Sequence, residues 1–200
     1  MVRIRVIALL AAAVIGLGIG ACRKTTPVER GTEESSASSV STAETIPPDA
    51  PDFVIAAVIS EGEDALTGIG KAKLASRSQS MTFAQTRARM EIYRQLNRII
   101  EEMVRDYAAL HNTDPSDAAA FREAAVTALS TIPLTGSSVV EMDSDTDGAF
   151  WAVVSLSKTN AAAEIKEAAA AAKLAVPALA AFDTADWIDA AFNRVRNRND

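Results

Sequence analysis

Between residues 82 and 110 apolar side chains recur at steps of three and four. Ala84, Ala88, Ile92, Leu96, Ile99, Met103 and Tyr107 stack on one face of a long helix, and Arg87, Glu91, Arg94, Arg98, Glu102 and Arg105 lie largely off it. Thr82 and Gln85 have the spacing of a capping box at its start, although the helical pattern extends back toward Ala75. Asp114-Pro115 then opens a second helix, with aspartate as cap and proline in the first turn, running to about Ser130 before Pro133. Beyond it the period changes to two. Residues 138–142 and 150–156 predict strands, the second with Phe150, Ala152, Val154 and Leu156 on one side and Trp151 and Val153 on the other. The intervening DSDTDG is rich in turn residues and suits a hairpin. Thr159-Asn160 starts a third helix, over residues 161–175, that stops before Pro177. A last amphipathic segment, residues 184–196, puts Trp187, Ile188, Ala191 and Val195 on one face.

Upstream of the long helix, residues 65–71 (ALTGIGK) read as a strand with glycines at its end, and residues 53–59 are apolar but too short to classify. The order is β-α-α-β-β-α-α, which predicts an α+β fold, a small antiparallel sheet packed with amphipathic helices. Residues 52–158 form the expected domain, with residues 159–200 as an alanine-rich helical extension packing on it. The face over residues 161–172 is small enough to pack against a second copy.

The N-terminal fifty residues follow another pattern. Arg3 and Arg5 precede an apolar, uncharged run from Val6 to Leu17, and small residues follow at Gly18, Gly20 and Ala21. This is the layout of a secretory signal peptide, residues 1–21. Ile19-Gly20-Ala21-Cys22 resembles the bacterial lipobox, in which the cysteine sulfur takes a diacylglyceryl group, the peptide is cut before it and the new amine is acylated. The resemblance makes Cys22 the lipid attachment site and implies an envelope location, lipid-anchored at the outer membrane and periplasmic or surface-exposed. Arg23, where an aspartate would favour inner-membrane retention, points the same way. An uncleaved signal anchor, or a cysteine without a role, is the plainer alternative. Residues 23–51 hold Ser, Thr, Glu and Pro with hardly an apolar side chain. They cannot bury enough surface to offset their ordering entropy, which predicts a disordered tether.

Composition narrows the chemistry. The 200 residues carry 20 basic and 26 acidic side chains, a net −6, and loss of Arg3 and Arg5 takes this to −8. An acidic surface opposes binding to phosphate backbones, so no nucleic-acid partner is expected. A single cysteine excludes an intrachain disulfide, and a single histidine, His111, excludes most zinc sites. No cofactor or resident metal is expected. Asp143, Asp145, Asp147 and Gly148 match the front of a calcium loop, but Val154 stands where a bidentate glutamate belongs, so an acidic hairpin turn is the better account. Gly68-Ile69-Gly70 has Lys73 at the third glycine of a dinucleotide motif and reads instead as a tight strand exit. His111 closes the long helix near Ser116 and Asp117 without a third group to orient it. Glu101 and Glu102 diverge on a helix and make no acid–base pair. Arg87, Arg94, Arg98 and Arg105 suit a solvated face, with Arg87–Glu91 and Arg98–Glu102 as i,i+4 pairs. Arg194, Arg196 and Arg198 suit the end of the last helix.

The lipobox, the tether, LTGIGKAK, the helix AQTRARMEIYRQL and the hairpin DTDGAFWAVVSL together resemble the Lpp-twenty family of small bacterial lipoproteins over about residues 65–156. The resemblance implies an α+β domain related to the N-terminal module of a flagellar assembly protein. It also implies a non-enzymatic envelope lipoprotein without established catalytic residues, its domain a binding or assembly module for an envelope protein or for itself. A calcium-responsive adhesion module built on DSDTDG and a lipid-tethered hydrolase are the alternatives.

Overall fold

The computed structural model describes residues 50–59 and 64–197. The leader, Cys22, the tether up to residue 49, and Arg198 lie outside the described residues. Among these described residues five helices and three strands follow one another as α1 (Asp52–Ile59), β1 (Ala65–Ala72), α2 (Arg77–His111), α3 (Pro115–Thr131), β2 (Ser138–Ser144), β3 (Phe150–Ser157), α4 (Lys158–Ala175) and α5 (Ile188–Asn197). Short 3₁₀ turns at Pro177–Leu179 and Thr184–Asp186 separate the last two helices. The strands form one antiparallel sheet in the order β1-β3-β2, so the fold is α+β, as the alternation of periods predicts. The short run left unclassified is α1, a helix of eight residues.

The 35-residue α2 is the spine. All seven residues of its predicted apolar face are buried. Its inner surface meets Leu66 of β1 and Val154 and Leu156 of β3, and it shares one continuous core with α3, α4 and α5. In that core Phe182, from the segment between the 3₁₀ turns, meets Tyr107 at 4.9 Å and Phe121 at 5.3 Å, both edge-on. Strand β3 keeps the predicted alternation: Phe150, Ala152, Val154 and Leu156 face α2, and Trp151 and Val153 face α1.

Several expectations are corrected. Helix α2 begins at Arg77 after Ser76, so Thr82 and Gln85 are not a capping box. Thr82 donates to the Ser78 carbonyl within the helix, and Gln85 reaches the Met142 sulfur. The entry is fastened by Ser80, whose buried hydroxyl accepts from the Leu74 N–H at 2.9 Å and donates to the Ser76 carbonyl at 3.0 Å. Gly68 and Gly70 are not a strand exit, since they lie inside β1 beneath α2. A Cβ on Gly68 would stand 2.0 Å from the Ala88 carbonyl oxygen, and one on Gly70 would stand 2.1 Å from that of Ala84. The alanine face of α4 is not open to a second copy either: Ala161, Ala168, Ala169 and Ala172 are buried in the core beside α3. Two glutamates placed off the apolar face of α2 are buried as well. Glu91 pairs with Arg94 at 2.8 Å, and Glu102 pairs with Arg105 and with Arg194 of α5. A helix enclosed by a sheet and by other helices has more than one covered side, so its polar flank is buried in pairs.

The start of α3 matches its reading. Asp114 accepts from the Ser116 N–H at 2.7 Å and from its hydroxyl at 2.6 Å, which holds the Asp114 carboxyl below its ordinary range. Ser157, one step before Lys158, caps α4 by accepting from the Asn160 N–H.

Candidate functional site

The sheet has two unlike faces. Helix α2 covers the inner one along its length. On the outer one, among the described residues, lies α1, which buries Val54 against Trp151 and Val153. Beside α1 a groove of about 320 Å³ stays open, floored by Thr67, Val153 and Ser155 and walled by Phe53, Val140 and Glu141. Strand β2 forms its far rim. Every residue of β2 except the half-buried Met142 is exposed, and among the described residues no strand pairs with its outer edge. A bulge falls between Val139 and Glu141. The extra residue lets Val140 and Glu141, consecutive in sequence, stand together at the groove instead of pointing to opposite faces.

The hairpin tip fixes this rim. Asp145 Oδ1 accepts from the N–H groups of Asp147 (3.0 Å) and Ala149 (2.8 Å), and Oδ2 accepts from Trp151 Nε1 at 2.9 Å. Lys71 Nζ lies 3.1 Å from the same carboxylate and 4.6 Å from the Trp151 ring centroid. One side chain thus pins the β2–β3 turn to the outer face and to β1. Gly148 takes the left-handed φ of 77° that closes the turn. Burial alone would raise the Asp145 pKa; the bonds from Trp151 and Ala149, with Lys71, outweigh it and hold the carboxyl below its ordinary range.

The three aspartates do not converge as a calcium loop. The Asp145 carboxylate, only 2% exposed, is surrounded by the donors just named, and Asp143 accepts from the Ser144 N–H. Among the described residues no three His, Cys, Asp or Glu side chains are grouped to hold a metal. His111 sits at the exposed end of α2 with its ring 4.3 Å from that of Tyr107. Ser116 is engaged with Asp114. Glu101 is exposed, with Arg122 at 3.8 Å, whereas the adjacent Glu102 is buried. Arg87 donates to the Lys71 carbonyl, and Arg194 bridges to Asp106 and Glu102. The groove, the bulge and the Asp145 network had no sequence motif of their own. The one available signal was the run of Asp and Gly two residues before an aromatic strand.

Replacing Asp145 by alanine should lower stability by about 2–4 kcal/mol, because it strands the Trp151 and Ala149 donors and Lys71 together. A urea titration followed by Trp fluorescence checks this. The sign with pH follows from the lowered pKa: the wild type keeps this contribution above the unfolded aspartate value of about 3.9 and loses it as pH falls through the folded one. The gap between wild type and variant should therefore narrow in acid.

A second titratable group lies beside the loop between α3 and β2. Glu164 of α4 is 5% exposed; its Oε1 accepts from the Thr135 N–H at 3.0 Å and its Oε2 has no hydrogen-bond partner. Burial raises its pKa, the Thr135 bond opposes the rise and the charge on Glu167 adds to it. Tyr93, whose hydroxyl donates to the Ile132 carbonyl, is raised by burial and by the Glu164 charge. A carboxyl with a raised folded pKa stabilises the fold most below its unfolded value of about 4.3 and loses that benefit as pH rises through the folded one. Glu164→Gln, which cannot ionise, should therefore gain about 1 kcal/mol over wild type at pH 8 and nothing at pH 4, measured by urea denaturation.

Comparison with protein-family profiles, with curated proteins and with solved structures yields no match to this chain.

Proposed function

We propose that this chain is a bacterial envelope lipoprotein, held to the membrane by acyl chains on Cys22 and working by docking instead of catalysis. The observation that carries the reading is the order of residues 3–22: two arginines, an uncharged apolar run, small residues, then Ile19-Gly20-Ala21-Cys22. Among the described residues no helix is long and apolar enough to cross a membrane. The resemblance of residues 65–156 to the Lpp-twenty lipoproteins adds support, and Arg23 favours the outer membrane. The docking part rests on the domain: its grouped side chains serve structure, as Asp145 does, and what it offers to a partner is the groove and rim of the outer face. Ala50, one residue before the end of the expected tether, is half-buried against the cluster of Val54, Trp151 and Val153 on that same face. A tether of this kind keeps a docking face at high effective concentration near the membrane.

Intact-mass spectrometry of the native chain tests the anchor. The expected species begins at Cys22 and carries the added mass of a diacylglyceryl group and an amide-linked acyl chain. A free Cys22 thiol, or a chain still bearing residues 1–21, would refute it.

A further inference from the structure

The geometry points to the outer edge of β2 as an acceptor for an extended, alternating basic and apolar segment of a partner protein, added to the sheet as a fourth strand. This inference gives a partner chemistry to the docking reading and rests on it. Three observations converge. First, among the described residues no strand pairs with the outer edge of Ser138–Ser144; its bulge and acidic side chains guard it against its own kind, and neither proline nor lysine blocks a basic strand. Second, it is apolar where a guarded edge would be polar: Val140 is 62% exposed and Val139 is exposed beside it. The register sets Val139 opposite Val154 on the inner face, so an apolar side chain of an added strand that points to that face lies beside Val139. Third, the rim charge is of one sign. Glu141, Asp143 and Asp147 are exposed there, and none of them forms an ion pair among the described residues. The nearby cation Lys71 is directed to Asp145.

This arrangement selects against the other occupants. A second copy of β2 would bring Glu141 and Asp143 against their own kind, a like-charge contact that opposes pairing. An alternating strand with basic side chains beside Glu141 and Asp143 on the outer face turns its apolar ones to the inner face beside Val139, and so matches both features. Its main chain gains ladder hydrogen bonds from an edge that no described strand uses, and its side chains supply the discrimination.

The test uses the full chain, purified with its lipid in detergent micelles, so the state of Cys22 is known by mass before binding is measured. The probes are two synthetic peptides of about eight residues, a usual strand length, one alternating lysine with valine and one alternating glutamate with valine. Amide chemical shifts locate binding. The expected result is saturable binding of the lysine peptide, favoured by tenfold or more over the glutamate peptide, with shifts confined to Ser138–Ser144 and the groove. The double variant Glu141→Lys, Asp143→Lys, checked for an unchanged melting temperature, should invert the preference. Inserting one proline in the centre of the lysine peptide should abolish binding, because it removes a ladder donor. No saturable binding, a preference that survives the charge reversal, or shifts that follow the protein's own concentration would each overturn the proposal. None of these outcomes bears on the lipid at Cys22.

Discussion

Gly68→Ala will destabilise the domain by about 3 kcal/mol or more, a large fraction of the stability of an ordinary domain, and Gly70→Ala will do the same. The added methyl of Gly68→Ala would sit 2.0 Å from the Ala88 carbonyl oxygen and 2.9 Å from its carbonyl carbon. At Gly70 it would meet the Ala84 carbonyl oxygen at 2.1 Å and the Ala88 N–H nitrogen at 2.5 Å. These neighbours are helix backbone, so no side-chain rotation relieves them; α2 must move off β1. Such a shift loosens Leu66 and Ile92, and it stretches the bond from Gln95 Nε2 to the Thr67 carbonyl, now 2.8 Å and buried. Two consequences separate this account from a simple propensity effect. Ala88→Gly will not rescue Gly68→Ala, because the clash is with a carbonyl that glycine also has. The double variant Gly68→Ala, Gly70→Ala will cost less than the sum of the two, because one displacement of α2 serves both. Urea midpoints followed by circular dichroism read all of these. A loss below about 1 kcal/mol for Gly68→Ala would show that α2 does not approach β1 this closely.

The second large effect follows from the proposed lipid anchor at Cys22. Cys22→Ser will abolish incorporation of labelled palmitate and will leave the chain uncut, since in lipobox signals the cut follows modification of the sulfur. The uncut leader is itself apolar from Val6 to Leu17, so retention of this variant at the membrane is not the informative reading. The informative comparison is a chain secreted from Arg23 behind an ordinary cleaved signal. Each buried CH₂ contributes about 0.8 kcal/mol and a single acyl chain gives only marginal binding, so durable attachment needs several chains. Their loss should lower membrane partition by several orders of magnitude and place the domain in the soluble fraction after washing. Arg23-initiated protein that stays with the membrane would mean that the folded domain, not a lipid, does the holding.

Between sequence and structure the division is physical. The long face of α2, the Asp114-Pro115 start of α3, the β2–β3 hairpin and the alternation of β3 were all legible, because each is written in residues close along the chain. Periodicity reports which side of a local element is covered. It does not report how closely two distant elements approach, and that distance decides the role of Gly68 and Gly70. Read locally, two glycines near a strand end mean a turn; packed under α2, they are the positions where no Cβ fits. Asp145 shows the same limit. In DSDTDG it has the look of a turn residue or a cation ligand, and only the crossing of β1 and β3 brings Lys71 and Trp151 to it.

The groove and the bare rim of β2 went unread for a related reason. A bulge and an uncovered face depend on which strand ends the sheet and on where α1 lies. The sequence by itself determined the α+β class, the principal elements of its domain and the apolar face of α2, since local patterns of burial suffice for these. Only the tertiary structure decided which glycines are indispensable to packing, which carboxylates are buried in pairs, and which edge of the sheet no described strand pairs with, since each depends on contacts between residues far apart in the chain.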